Sequence, residues 1–151
     1  MNEIQYYSAF KPLPAEIRAR LWQKGHPFLF QHEKPSDTIV ICLHGYTAAP
    51  FETRPIADAS FNLGLDVAAP LLPGHGFAME EDQKEKLSTL MKEEDMFESV
   101  RNEIRIAREQ YENVYIYGQS MGGILALSMA GERLVDACAT TATDHSLLQP
   151  L

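Results

Sequence analysis

The chain has 151 residues and a mass of 17.0 kDa, a length that suits one domain. Its 45% of hydrophobic residues can fill a core, which argues against disorder. Thirteen basic residues against twenty-one acidic ones leave a formal charge of −8 with no Lys/Arg cluster to follow a phosphate backbone, so nucleic acid is a poor partner.

The first segment, Met1 to Lys24, mixes Glu3, Lys11, Glu16, Arg18 and Arg20 with apolar residues, and so lacks the uninterrupted apolar stretch of a signal peptide. No run approaches the roughly 20 apolar residues of a membrane span. The expectation is a soluble, cytoplasmic protein without a membrane span. Cys42 and Cys138 each fall in a short β-like run, where a thiol behaves as a small hydrophobe, and their spacing suggests neither zinc nor redox chemistry.

In chain order, a helical lead-in is expected around Ala15 to Trp22, an early strand from Gly25 to His32, and a continuous apolar strand, buried on both faces, from Thr38 to Leu43. Pro50 to Leu63 has helical character and ends at Gly64, a suitable helix-terminating residue, with Pro55 in the first turn or at a kink. Leu65 to Ala69 is the next strand. Asp82 to Tyr111 turns polar and helical, with Met96, Val100, Ile104, Ala107 and Tyr111 spaced to line one buried face. Val114 to Tyr117 is a strand, Met121 to Ala130 a strongly apolar helix, and Val135 to Ala139 a last strand. The order β-β-α-β-α-β-α-β predicts an α/β fold, a mostly parallel sheet with helices on both faces.

Gly118-Gln119-Ser120-Met121-Gly122 matches G-x-S-x-G between a predicted strand and a predicted helix, the context of a nucleophile elbow. Reversing a strand into a helix within one residue strains the serine backbone, and the flanking glycines remove side chains that would collide. Gly123 is expected to let the helix pack closely on the sheet. Ser120 then projects its hydroxyl above the carboxyl edge of the sheet, beside a helix N-terminus. The bland alternative is an N-cap serine in an ordinary βα unit. The glycines fit neither G-x-G-x-x-G nor a P-loop, which needs a Lys-Ser/Thr after them.

His44-Gly45-Tyr46-Thr47 directly follows the strand Thr38 to Leu43, where a second oxyanion donor belongs. Two main-chain N–H groups, those of Tyr46 and Met121, are the expected donors to a developing oxyanion. His44 is expected to hold the loop through hydrogen bonds. The turn Leu72-Pro73-Gly74-His75-Gly76 lies at the same sheet edge, with His75 as a structural or pocket-wall residue.

Together, His44 to Thr47, Pro70 to Gly76 and Gly118 to Gly123 resemble bacterial carboxylesterases and monoacylglycerol lipases of the α/β-hydrolase superfamily, over roughly Thr38 to Ala139. The resemblance equates this stretch with the family's first six strands, so that Val135 to Ala139 is its sixth. It implies hydrolysis of short- or medium-chain acyl esters or monoacylglycerols through an acyl-enzyme on Ser120, with a small-molecule ester as partner and no metal or organic cofactor.

The family's order of Ser, then acid, then His requires two residues beyond Ser120. Only Asp144 and His145 follow the last strand, and adjacent residues do not project to one point. Asp144 is at most the partner of a base supplied elsewhere. The chain therefore reads as the nucleophile and oxyanion portion of one α/β-hydrolase domain, residues 1–151, inactive alone, whose last strand is an open edge for self-association or for a complementing C-terminal segment. The alternatives are a non-catalytic interaction module with a retained half-fold, and acyl transfer to an acceptor other than water.

Overall fold

The computed structural model describes residues 5–143. The sheet is built around two strands, β2 (Thr38–Leu43) and β4 (Asn113–Gln119), which run parallel from Thr38 opposite Asn113 to Leu43 opposite Gly118. Outside β2 lies β3 (Asp66–Ala69), parallel to it, and outside β3 the short antiparallel β1 (Phe28–Phe30). Outside β4 lies β5 (Ala137–Thr141), again parallel, giving the order β1-β3-β2-β4-β5. The described residues thus hold five strands, and the segment expected as the sixth is the fifth in this sheet.

Every residue of β2 is buried, as its apolar sequence requires of a strand covered on both faces. Val40 and Cys42 pack with Val67, Ala69, Tyr117 and Ala57 of α2 (Arg54–Asn62) on one face. Ile39, Ile41 and Leu43 pack on the other with Ala68, Ile116, α4 (Glu93–Arg108) and α5 (Met121–Gly131). This alternation is the two-residue period of a strand read out as a two-sided core. Burial pushes the Cys42 thiol up to about 12, so it is an inert packing group.

The α2 segment opens on a 3₁₀ turn, Pro50–Thr53, with Pro55 in the first helical turn, and Gly64 follows it at φ +92°, as expected of a residue in the left-handed region. The lead-in helix α1 covers Ala15–Arg20. Several expected boundaries change. The early strand contracts to three residues, because Gln23–Gly25 forms a 3₁₀ turn in which Gly25 lies so close to Gly76 that a side chain there would meet its carbonyl oxygen at 2.8 Å. The last strand begins two residues later than expected, at Ala137.

The long helical stretch divides at Met91 and Lys92 into α3 (Glu80–Leu90), which buries no residue, and α4. Glu93, Glu94 and Asp95 occupy the first turn of α4 and Arg105 and Arg108 its last, the charge order that the helix dipole favours. A new helix therefore starts at Glu93. Four of the five expected core residues, Met96, Val100, Ile104 and Ala107, lie on α4 and Tyr111 lies just beyond its end; all five are buried.

Two buried carboxylates tie distant segments together. Asp66 accepts hydrogen bonds from the His32 backbone N–H (3.1 Å), from His32 Nδ1 (2.7 Å) and from the Tyr111 hydroxyl (2.8 Å). Burial pushes its carboxyl up, but the donors from His32 and Tyr111 outweigh this and hold it below the usual range. Glu103 of α4 accepts from the Tyr6 hydroxyl (3.0 Å) and the Ala9 N–H (2.9 Å), which anchors the N-terminal segment on the helix. No helix among the described residues is long and apolar enough to cross a membrane.

Candidate active site

From β2 the chain crosses to β3 on one side, whereas from β4 it crosses to β5 on the other. The carboxyl ends of β2 and β4 are therefore a topological switch point, the usual ligand position of an open α/β sheet. His44 to Thr47 leaves β2 at this point, and Ser120 leaves β4.

Ser120 has φ 52° and ψ −117°, a left-handed backbone for a non-glycine residue, between the end of β4 and the start of α5. An N-cap serine has an extended backbone and bonds its hydroxyl to the following N–H groups. Ser120 does neither, and its side chain is exposed. Its backbone N–H donates to Thr141 of β5 at 2.9 Å, and its carbonyl accepts from Gly123 (2.9 Å) and Ile124 (3.3 Å), which locks the turn on both sides.

The elbow glycines serve close approach. A Cβ at Gly118 would collide with the backbone of Gly122, and a Cβ at Gly122 with the carbonyl oxygens of Leu43 and His44. Gly122 is thus the residue that seats α5 against the end of β2. Gly123, expected in that role, instead faces the side chain of Thr143. Gly45 completes the fit, because a Cβ there would lie 3.3 Å from both the Gln119 carbonyl oxygen and Ser120 Cβ. The loop His44 to Thr47 and the elbow are in direct contact.

Among the described residues, neither the N–H of Tyr46 nor that of Met121 has a hydrogen-bond acceptor. Both remain able to donate to a substrate. The loop between them is held from two directions. Glu52 accepts the Gly45 N–H at 3.3 Å, and Thr47 bends the chain at φ 58°. His44, fully buried, donates from Nδ1 to the Gly45 carbonyl (2.9 Å) and accepts the Leu72 N–H at Nε2 (3.1 Å). It therefore staples the loop after β2 to the turn Leu72 to Gly76, the loop-holding role expected of it.

His75 is also buried, donates from Nδ1 to the Pro73 carbonyl at 2.9 Å, and packs its ring against His44 with centroids 5.0 Å apart. Neither ring reaches Ser120 in a hydrogen bond. Burial, then the neighbouring His75, push the His44 pKa down to about 3 against the pull of the Gly45 carbonyl, and burial likewise lowers that of His75. Both rings are neutral near pH 7 and lack the poise of a general base. Asp144 and His145 lie outside the described residues.

A depressed histidine pKa has a stability consequence. Unfolded His44 binds a proton below about 6.5, whereas folded His44 resists protonation until about 3. Its contribution to stability is present above 6.5 and is lost as pH falls toward 3, at up to about 1.4 kcal/mol per pH unit. Denaturant midpoints of the protein should therefore drop more steeply between pH 6.5 and 4 than those of His44→Gln; parallel curves would show that His44 is not buried in its neutral form.

The sequence did not reveal the Glu52 contact with Gly45 or the Leu72 contact with His44, since both depend on loop geometry. It also missed two hollows at this sheet edge. One, of about 320 Å³, is bounded by Trp22, Thr47, Ala49, Phe77 and Gln83. The other, of about 300 Å³, is bounded by Met91, Met96, Phe97, Met121, Ile124 and Leu125, with Glu93. A further cavity of about 480 Å³, between the N-terminal segment and α4, contains neither Ser120 nor the oxyanion loop. No cluster of three or more metal-binding side chains occurs among the described residues.

Comparison with known proteins agrees with this geometry. Residues 38–150 match the family model of the alpha/beta hydrolase fold. The chain is 31% identical over 99 residues to a thermostable monoacylglycerol lipase of Bacillus sp. (strain H-257), covering 66% of this chain and 37% of that protein. It therefore spans little more than a third of that relative's length. Among solved structures it superposes on one of the metagenome-derived lipolytic enzymes LipS and LipT with a TM-score of 0.71 at 22% identity, covering 82% of this chain and 48% of the other. It also superposes on a thermostable carboxyl esterase of Bacillus coagulans in complex with glycerol, with a TM-score of 0.62 at 20% identity, covering 76% of this chain and 38% of the other. A serine strained at the tip of β4, a glycine-seated helix behind it and the match over residues 38–150 lead to one conclusion: the chain belongs to the alpha/beta hydrolase fold family.

Proposed function

We propose that Ser120 is the nucleophile of a serine hydrolase that cleaves carboxylic esters of short or medium acyl chains, or monoacylglycerols. The observation that carries this reading is the strained, uncapped Ser120 at the carboxyl ends of β2 and β4, beside the N–H groups of Tyr46 and Met121, which have no acceptor among the described residues. The similarity to a monoacylglycerol lipase supports the same chemistry. Ser120 Oγ attacks the ester carbonyl carbon, forming a C–O bond, and the carbonyl oxygen gains charge toward the Tyr46 and Met121 N–H groups. The bond to the alcohol oxygen then breaks. A base outside the described residues takes the Oγ proton and delivers it to the leaving alcohol, and water reverses the sequence to release the acid.

In this reading residues 1–151 supply the nucleophile and oxyanion half of one domain, and the acid and base come from elsewhere. The span of little over a third of the lipase relative supports it. So does β5, whose outer edge has no partner among the described residues and whose Ala137, Ala139 and Thr141 are exposed. That edge is where a complementing segment or a second copy would pair. In the full-length protein, mixing with p-nitrophenyl acetate should release a rapid burst of one p-nitrophenolate per chain before steady turnover. Turnover without any burst, under conditions where deacylation is slow, would contradict an acyl-enzyme on this serine.

A further inference from the structure

The cavity of about 480 Å³ between the N-terminal segment and α4 has two walls of different chemistry. On the α4 side stand Glu98, Asn102 and Arg105, at the three- and four-residue spacing of one helix face. A relay of side chains fixes this wall from the core outward. Buried Glu103 accepts the Tyr6 hydroxyl at 3.0 Å, the same hydroxyl accepts Asn102 Nδ2, and Asn102 Oδ1 accepts Arg105 Nη2. Arg105 is thus an exposed cation held in place from a buried carboxylate, and its other N–H groups have no acceptor among the described residues.

Charge in this cavity is not balanced. Glu98 is drawn to Arg101 (3.4 Å), and Glu103 is occupied by Tyr6 and the Ala9 N–H. Lys11 faces Glu103 at longer range. Among the described residues, however, neither Lys11 nor Arg105 forms an ion pair. Two cations therefore line a cavity of a chain whose formal charge is −8. The opposite wall is apolar, made by Tyr7, Pro12, Leu13 and Pro14, and the two prolines hold its backbone in a fixed course.

We propose that this cavity binds a small aromatic carboxylate, with the carboxylate on Arg105 and Lys11 and the ring against the wall from Tyr7 to Pro14. A carboxylate matches the planar guanidinium, which can donate to it through two N–H groups at once. A rigid ring gives up little conformational freedom on entering a wall that is already fixed. The volume lies within the range of small-molecule sites, roughly 300–1,000 Å³. The site does not depend on Ser120, since neither that residue nor the loop after β2 lines it.

Isothermal titration of the full-length protein with naphthoate should show one saturable site per chain. Naphthamide, the same ring without the charge, should bind more weakly by about tenfold or more, and Arg105→Gln and Lys11→Gln should each weaken naphthoate to a similar degree. Arg18→Gln, which removes an equal charge from α1 outside the cavity, should leave the affinity as it is. All three side chains are exposed, so the fold should persist, and thermal midpoints check that it does. Absence of saturable binding, equal affinity for naphthamide, or an affinity that neither cavity variant changes would overturn the proposal. Tighter binding of octanoate, equally charged but flexible, would overturn the preference for a ring.

Discussion

Ser120→Ala in the full-length protein is expected to lower kcat for a p-nitrophenyl ester by about 10⁶, the loss seen when a serine nucleophile is removed from a working triad. The effect has to be this large because no other group can replace the bond. The strained backbone at φ 52° holds the exposed Ser120 hydroxyl out from the elbow. The fold should not suffer. The hydroxyl caps nothing, and the backbone contacts of Ser120 with Thr141, Gly123 and Ile124 persist in alanine. A residual rate about 10³–10⁴ above that in water should survive from the oxyanion donors and binding alone. A variant that loses activity together with its thermal midpoint would be reporting misfolding.

The second large effect is expected at Met121→Pro. Proline removes the N–H that has no acceptor among the described residues, and loss of one oxyanion donor costs about 2.7–4 kcal/mol, or about 10²–10³ in kcat. Position 121 opens α5, where proline's missing donor has no helical partner; because proline also restricts the backbone of the preceding Ser120, fluorophosphonate labelling of Ser120 in the variant separates the lost donor from a displaced nucleophile. Met121→Ala keeps the N–H and should retain most of the turnover of acetyl esters. Steady-state kinetics on both variants, with thermal midpoints as control, decide it. Equal turnover by the proline and alanine variants would place the oxyanion elsewhere.

Much of this arrangement was legible in the residues. The apolar run Thr38 to Leu43 is the central strand, residue for residue, because a strand covered on both faces tolerates no polar interruption. The spacing of Met96, Val100, Ile104 and Ala107 identified the buried face of α4. G-x-S-x-G could be read for a local reason at Gly118, whose contact is the backbone of Gly122 only four residues on, whereas Gly122 meets the distant Leu43 and His44. What could not be read depends on distant partners. Leu72 is 28 residues from His44, and Glu103 is 94 from Ala9; no local pattern encodes such meetings. Glu103 reads as one more charge on a helix, yet it is fully buried under the N-terminal segment.

Gly123 is a related case. Of the two adjacent glycines it is Gly122 that meets the backbone of Leu43 and His44, whereas Gly123 meets Thr143, and both partners are distant in the chain. The break at Met91 is a different case. The acidic run Glu93-Glu94-Asp95 is a helix-start signal by charge, but the continuous polar periodicity on both sides concealed it.

The central claim is that Ser120 forms a covalent bond to substrate. Its most direct test is to react the full-length protein with a fluorophosphonate, digest it, and map the phosphonylated residue by mass spectrometry. The expected result is a single adduct on Ser120 with complete loss of ester turnover, and no adduct on Ser120→Ala. Modification of another residue, or full turnover by a protein whose Ser120 is quantitatively modified, would contradict the account.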